Sequence, residues 1–144
     1  MIGLSAIIDS SLAFRVAVAN PLQDQHRALI GRLLGQRCRL VAPTLWVYET
    51  TSAVCKAVHF EQLTRSQGQQ ALAEIAAMGV DLIAPDGAQT RHAFDWTIRL
   101  KRAPAYDSYY LALAETLGCD LWTADRRLVN AVNLPWVRMV DPGA

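Results

Sequence analysis

Apolar residues recur along this chain in two rhythms. Short unbroken runs alternate with longer stretches in which apolar positions return every three or four residues, the periods of a buried strand and of an amphipathic helix. The short runs predict strands over residues 5–9, 39–42, 80–84, 120–123 and 136–140. The longer periods predict helices over 12–20, 23–34, 44–59, 64–78, 88–101, 106–117 and 125–132. Stop and start signals punctuate them: Pro21, Pro43 and Pro85 close elements, Gly35, Gly79 and Gly118 stand at expected helix ends, and Thr64 is placed to cap the helix after it.

Strands separated by helices imply parallel pairing, because antiparallel neighbours do not need helix-length connections. The expected fold is a three-layer α/β sandwich, with a central, mostly parallel five-stranded sheet flanked by helices. The 144 residues form one expected domain, 1–144, with no repeat, low-complexity segment or linker. A chain of this size buries about 68–70% of the surface its unfolded form exposes, so it needs neither disulfides nor a structural metal to fold.

Composition narrows the function more by exclusion than by assertion. The chain is 52% hydrophobic and 19% charged, with a mean hydropathy of +0.14, which excludes disorder and suggests apolar surface buried against a partner. A net charge of +1 supplies no global field to recruit nucleic acid, so any RNA binding must rest on a local basic patch. Cys38, Cys55 and Cys119 are odd in number and far apart, and read as reduced, buried thiols. With no signal peptide and no run long enough to span a bilayer, the expected location is cytoplasmic, away from membranes.

The candidate chemistry lies in four acids. Open parallel sheets bind ligands beyond the carboxyl ends of their strands, where strand order reverses. Asp9 ends the first strand, Asp125 lies just past the fourth, Glu49 sits one turn into the helix after the second, and Asp107 opens the helix before the fourth. Right-handed crossovers bring all four to one rim. Two carboxylates 4 Å apart repel by ~4 kcal/mol at an effective dielectric near 20. A hard divalent cation removes that repulsion, and Mg²⁺ or Mn²⁺ accepts carboxylate oxygens with water completing its shell. Such a centre suits phosphodiester hydrolysis.

Each acid also has a plainer reading. Asp9, Asp107 and Asp125 stand where helix caps belong, and Ser10 or Ser11 could cap in place of Asp9. Glu49 is the odd one, since Leu45, Trp46 and Ala53 around it are apolar. The set carries the argument, not any single member. Thr123 is expected to orient an acid or a water. Arg126 and Arg127 are the best local phosphate binders, with a solvated helix face as the rival reading. Tyr106, Tyr109 and Tyr110 read as packing groups. His26, His59 and His92 lack zinc-site spacing, and no nucleotide-cradling loop or nucleophile elbow is present.

Four segments carry a family resemblance: Ile7-Ile-Asp-Ser-Ser11, Pro43-Thr-Leu-Trp-Val-Tyr-Glu49, Tyr106-Asp-Ser-Tyr-Tyr-Leu-Ala-Leu-Ala114 and Thr123-Ala-Asp-Arg-Arg-Leu128. In this order and spacing the chain resembles the PIN-domain nucleases, and within them the VapC-type toxins of bacterial toxin–antitoxin pairs. The resemblance implies an endoribonuclease dependent on Mg²⁺ or Mn²⁺, with Asp9, Glu49, Asp107 and Asp125 as catalytic acids and Asp9 and Asp107 as direct metal ligands. It implies tRNA or rRNA as substrate, a cognate antitoxin protein that blocks the site, and a homodimer. Trp122 departs from the small or β-branched residue expected before the Thr-x-Asp element. By strand alternation it faces away from Thr123, so the departure bears on packing. Two other classes compete. One is a catalytically inactive PIN-like module that binds RNA or protein, against which the retention of all four acids speaks. The other is a phosphotransfer protein, whose paired-acid or Asp-x-Asp first strand is replaced here by Asp9-Ser-Ser.

Overall fold

The apolar runs form one five-stranded sheet, all of its pairings parallel, in a computed structural model that describes residues 4–141. In chain order the elements are β1 (Ser5–Ile8), α1 (Ser10–Ala17), α2 (Gln23–Gly35), β2 (Arg39–Pro43), α3 (Leu45–His59), α4 (Arg65–Ala77), β3 (Asp81–Ile83), α5 (Gly87–Leu100), α6 (Tyr106–Leu117), β4 (Asp120–Trp122), α7 (Arg126–Val132) and β5 (Val137–Arg138). The strand order is β3-β2-β1-β4-β5. The chain therefore builds outward from β1 to β3, then returns across β1 to place β4 on its other side. That reversal lies between β1 and β4, paired through Ala6–Asp120, Ile7–Leu121 and Ile8–Trp122.

Strand alternation divides the core into two layers. Ile7, Val41 and Leu121 join a cluster with Trp46, Val54, Ile75, Trp96 and Leu111 from α3, α4, α5 and α6. Ala6, Ile8, Leu40 and Trp122 face the other way, onto Leu29, Ile30 and Leu33 of α2. Because both faces are covered, the central strands read as continuous apolar runs rather than alternating ones. Trp122 is one of the residues on the α2 side, with the Arg138 guanidinium 4.4 Å above its ring, so the unusual residue is absorbed by packing.

Several boundaries differ from the sequence pattern, each for a local reason. The first helix starts at Ser10 rather than residue 12, because Asp9 caps it, and ends at Ala17. Asn20 lies outside it and closes its end, its Nδ2 donating to the Arg15 and Val18 carbonyls at 2.7 Å each. Gly35 does not stop α2; it remains helical, and Arg37 takes the left-handed turn at φ 57° while the Cys38 amide bonds back to the Leu33 carbonyl. Asp107 is not a cap, since α6 begins at Tyr106 behind Ala105. The last strand shrinks to Val137–Arg138, an edge strand with one neighbour. All three cysteines are free, but only Cys38 is buried as expected; Cys55 is exposed and Cys119 half-buried. Tyr106 is exposed too, so it is not a packing group. Thr64 caps α4 as expected, within a reciprocal capping box with Gln67.

Two mid-helix glycines make opposite demands. A Cβ on Gly31 of α2 would meet nothing within 4 Å, whereas one on Gly68 of α4 would lie 2.7 Å from Cγ2 of Val58 on α3. Gly31→Ala should therefore raise stability by about 1 kcal/mol, the helix-propensity difference. Gly68→Ala should lower it despite the same gain, because a β-branched neighbour cannot swing clear. Thermal melts of both variants check this; a Gly68→Ala protein as stable as Gly31→Ala would show that α3 and α4 do not approach so closely.

Candidate active site

Asp9 follows the last residue of β1, and its amide donates to the Trp122 carbonyl at 3.1 Å, extending the β1–β4 pairing by one bond. This holds it at the strand-order reversal. Its side chain turns back over α1: Oδ1 accepts from the Leu12 amide at 3.0 Å and from the Ser11 hydroxyl at 2.7 Å. Asp9 is thus both the helix cap of the plainer reading and a rim acid. Ser11 does not cap; its Oγ accepts from the Ala124 amide at 3.0 Å and ties α1 to the loop after β4. Thr123 is fully buried, with Oγ1 accepting from the Asp125 amide at 3.0 Å and reaching Asp9 and Ser11. Thr123 therefore connects the two acids. Asp125 caps α7, accepting from the Arg127 amide at 2.9 Å.

The other two acids arrive on helices. Glu49 is half-buried on α3, and its Oε1 accepts from the Tyr110 hydroxyl at 2.7 Å. The Ser10 hydroxyl reaches the same pair. Asp107, the second residue of α6, takes a bond from Arg102 Nη1 at 2.9 Å. Sequence reasoning missed Tyr110, Ser10 and Arg102. Tyr110 lies three positions after Asp107 on one helix face, a spacing that could have linked it to the acids. Arg102 sits across a Pro104 loop, with no periodicity to reveal it. Arg126 and Arg127 are exposed on α7, and neither forms an ion pair among the described residues.

The acids share one electrostatic environment. Burial pushes the Asp9 carboxyl up from 3.8 to about 6, with the charge of Asp107 adding to the rise against hydrogen bonds from Thr123, Leu12 and Ser11. Burial also raises Glu49, again helped by Asp107 and opposed by the Tyr110 hydroxyl. Asp107 is raised by burial and by Asp125, with Arg102 as the opposing cation. The bond to Glu49 and burial hold the Tyr110 phenol protonated. Among the described residues, no three His, Cys, Asp or Glu side chains come close enough to enclose an ion by themselves. A cation here would rest on one or two carboxylates with water around it, which is how Mg²⁺ is commonly held. Hard oxygen donors, mutual repulsion and partial burial suit such an ion.

The raised value for Asp9 has a sign that can be measured. Between about pH 4 and about pH 6 the folded chain holds a proton that the unfolded chain has lost, so stability falls as pH rises through this window. A shift of this size corresponds to about 3 kcal/mol when complete. Asp9→Asn keeps the oxygen that accepts from Leu12 and Ser11 but removes the charge. In EDTA at pH 7.5 the variant should melt several degrees above the wild type, and the gain should vanish near pH 4. A variant that melts lower at both values would leave Asp9 as a cap alone.

No family model matches this chain, and no curated protein matches it. Solved structures do. VapC20 of Mycobacterium tuberculosis, described as a sarcin–ricin loop cleaving toxin, aligns over 92% of this chain and 96% of its own, with a TM-score of 0.65 and 13% identity. VapBC2 from Rickettsia felis, bound to a DNA fragment of its promoter, aligns over 96% and 100%, with a TM-score of 0.71 and 14% identity. VapBC-1 from nontypeable Haemophilus influenzae aligns over 98% and 100%, with a TM-score of 0.59 and 18% identity. At these identities the likeness is one of fold, and it extends across nearly the whole chain. The five-stranded parallel sheet and its seven helices are the PIN-domain fold as it is built in the VapC structures.

Proposed function

We propose that this chain is a divalent-cation-dependent endoribonuclease and the toxin of a toxin–antitoxin pair. One observation carries the reading: Asp9, Glu49 and Asp107 are each raised by burial, and the charge of one acid falls on the next, from Asp125 to Asp107 and from Asp107 to Asp9 and Glu49. A fold gains no stability from such an arrangement, so it points to a ligand of opposite charge. Asp9 and Asp107 are the residues that would hold Mg²⁺ or Mn²⁺. When bound, such an ion lowers the pKa of water and stabilises charge on a transferring phosphoryl group.

The chain's own groups have separable roles in this reading. Glu49, positioned by the Tyr110 hydroxyl on Oε1 and by Ser10, is the carboxylate that would orient an attacking water and take its proton. A carboxylate raised by burial is a better base than a solvated one. Arg102 balances Asp107, and as a part-exposed cation beside the acids it is the group that would meet a substrate phosphate. Exposed Tyr48, Phe94, Ile98 and Tyr106 offer apolar surface for an antitoxin or for a second copy of the chain. Among the described residues, no helix is long and apolar enough to cross a membrane.

The inactive binding module remains the competing class, and activity separates the two. Purified protein free of any partner should cleave structured RNA, such as tRNA or rRNA, with Mn²⁺ or Mg²⁺ and stop in EDTA. Asp9→Asn and Asp107→Asn should each lower the rate by about a hundredfold or more, the scale of losing a charge-stabilising group. Tyr110→Phe, which frees Glu49 without altering charge, should cost about tenfold, or about 1.4 kcal/mol of barrier. Cleavage that persists in EDTA, or wild-type rates in both Asn variants, would overturn the assignment.

A further inference from the structure

The carboxyl edge of the sheet carries a second feature beside the acids. A pocket of about 270 Å³ opens between the end of α1, the start of α2 and the chain leaving β4 and β5. Its walls include Arg15, Leu22, His26, Ala124, Met139 and Val140. Of these only His26 is buried, at 3% exposure. Its Nδ1 lies 2.8 Å from the Leu22 carbonyl oxygen. A carbonyl only accepts, so Nδ1 carries a proton. Nε2 has no hydrogen-bond partner among the described residues. Among the described residues Trp46 Nε1 is the buried side-chain nitrogen without a partner, so His26 Nε2 keeps contact with solvent and, in the Nδ1–H tautomer, can accept from a donor in the pocket that His26 lines.

The rest of the pocket narrows what that donor belongs to. Leu22, Ala124, Met139 and Val140 give apolar walls, and Arg15 stands on the rim with a guanidinium that forms no ion pair among the described residues. One histidine acceptor in the wall, apolar neighbours and a cation at the mouth match a nucleobase with an N–H edge, followed by its phosphate. The pocket also adjoins the acids: the Ala124 amide donates to Ser11 Oγ at 3.0 Å, and Ser11 donates to Asp9 Oδ1 at 2.7 Å. We propose that this pocket seats one base of the RNA substrate, an N–H on its edge donating to His26 Nε2, its phosphate on Arg15, immediately beside the bond that is cut. This rests on the ribonuclease reading. Watson–Crick donors are engaged in a duplex, so the nucleotide taken here is unpaired, and cleavage falls next to a loop, bulge or single strand.

An abasic scan tests the pocket. A fluorescent RNA that the protein cleaves, or a tRNA anticodon stem-loop if cleavage fails, is made with one base removed at each unpaired position in turn. Binding is followed by anisotropy in EDTA and cleavage in Mn²⁺. The wild type should bind one abasic RNA about tenfold more weakly than the intact RNA. His26→Leu should bind the intact RNA about tenfold more weakly and lose its sensitivity to that base. Val140→Trp fills the pocket from its partly exposed wall and should do the same, which keeps the test sound if His26→Leu does not fold. Indifference of the wild type to every base removal, or full sensitivity retained in Val140→Trp, overturns the proposal, as does a wild type that binds none of the RNAs. A binding contrast without cleavage in Mn²⁺ would end the nuclease reading and keep the pocket; cleavage without the contrast would do the reverse.

Discussion

The structure turns on a carboxylate placed where it is least comfortable. Asp9 is 5% exposed at the reversal of strand order, and burial outweighs three hydrogen bonds in setting its affinity for a proton. It cannot move, because its amide extends the β1–β4 pairing and its side chain starts α1. Much of the surrounding polar structure serves to hold this group or to offset it. Ser11 joins Asp9 to the β4 loop, Thr123 lies between Asp9 and the Asp125 amide, and Arg102 sets one positive charge against Asp107. In the proposed reading this polar frame is in place before any ligand arrives, which is what electrostatic catalysis requires.

Topology explains why this rim and no other gathers the acids. In a parallel sheet the chain leaves every strand at the carboxyl edge, and residues near the starts of α1, α3, α6 and α7 meet there from four separate parts of the chain. The helix-cap preference for acids and the carboxylates asked for by the proposed cation site therefore call for the same residue type at Asp9 and Asp125. A capping role and a chemical role do not compete at these positions.

Much of this was legible in the sequence, and the limits have physical causes. Unbroken apolar runs such as Ala6-Ile-Ile8 and Leu40-Val-Ala42 announce buried strands, and Thr64 announces a capped helix, whose reciprocal partner Gln67 only the structure shows. Helix ends were harder, because the left-handed residue after α2 is Arg37 while the glycine nearby stays helical. The four acids could be placed on one rim from topology alone. Their partners could not: Tyr110 is 61 residues from Glu49, and a contact of that range leaves no periodic signal. Metal-site spacing passes over His26, because such a test is blind to a single histidine in a pocket wall.

The central claim is that the acids are held together for a cation, and proton release on metal binding tests it most directly. Metal can bind Asp9 only in its charged form, so binding near pH 6 must displace the proton that burial retains. Titration calorimetry with Mn²⁺, run in two buffers of different ionisation enthalpy, counts the protons released. The account predicts release of about half a proton or more per ion at pH 6, from a carboxyl raised to about 6, falling towards zero at pH 8. Binding with no proton release at pH 6, or no binding of Mn²⁺ at all, would contradict it.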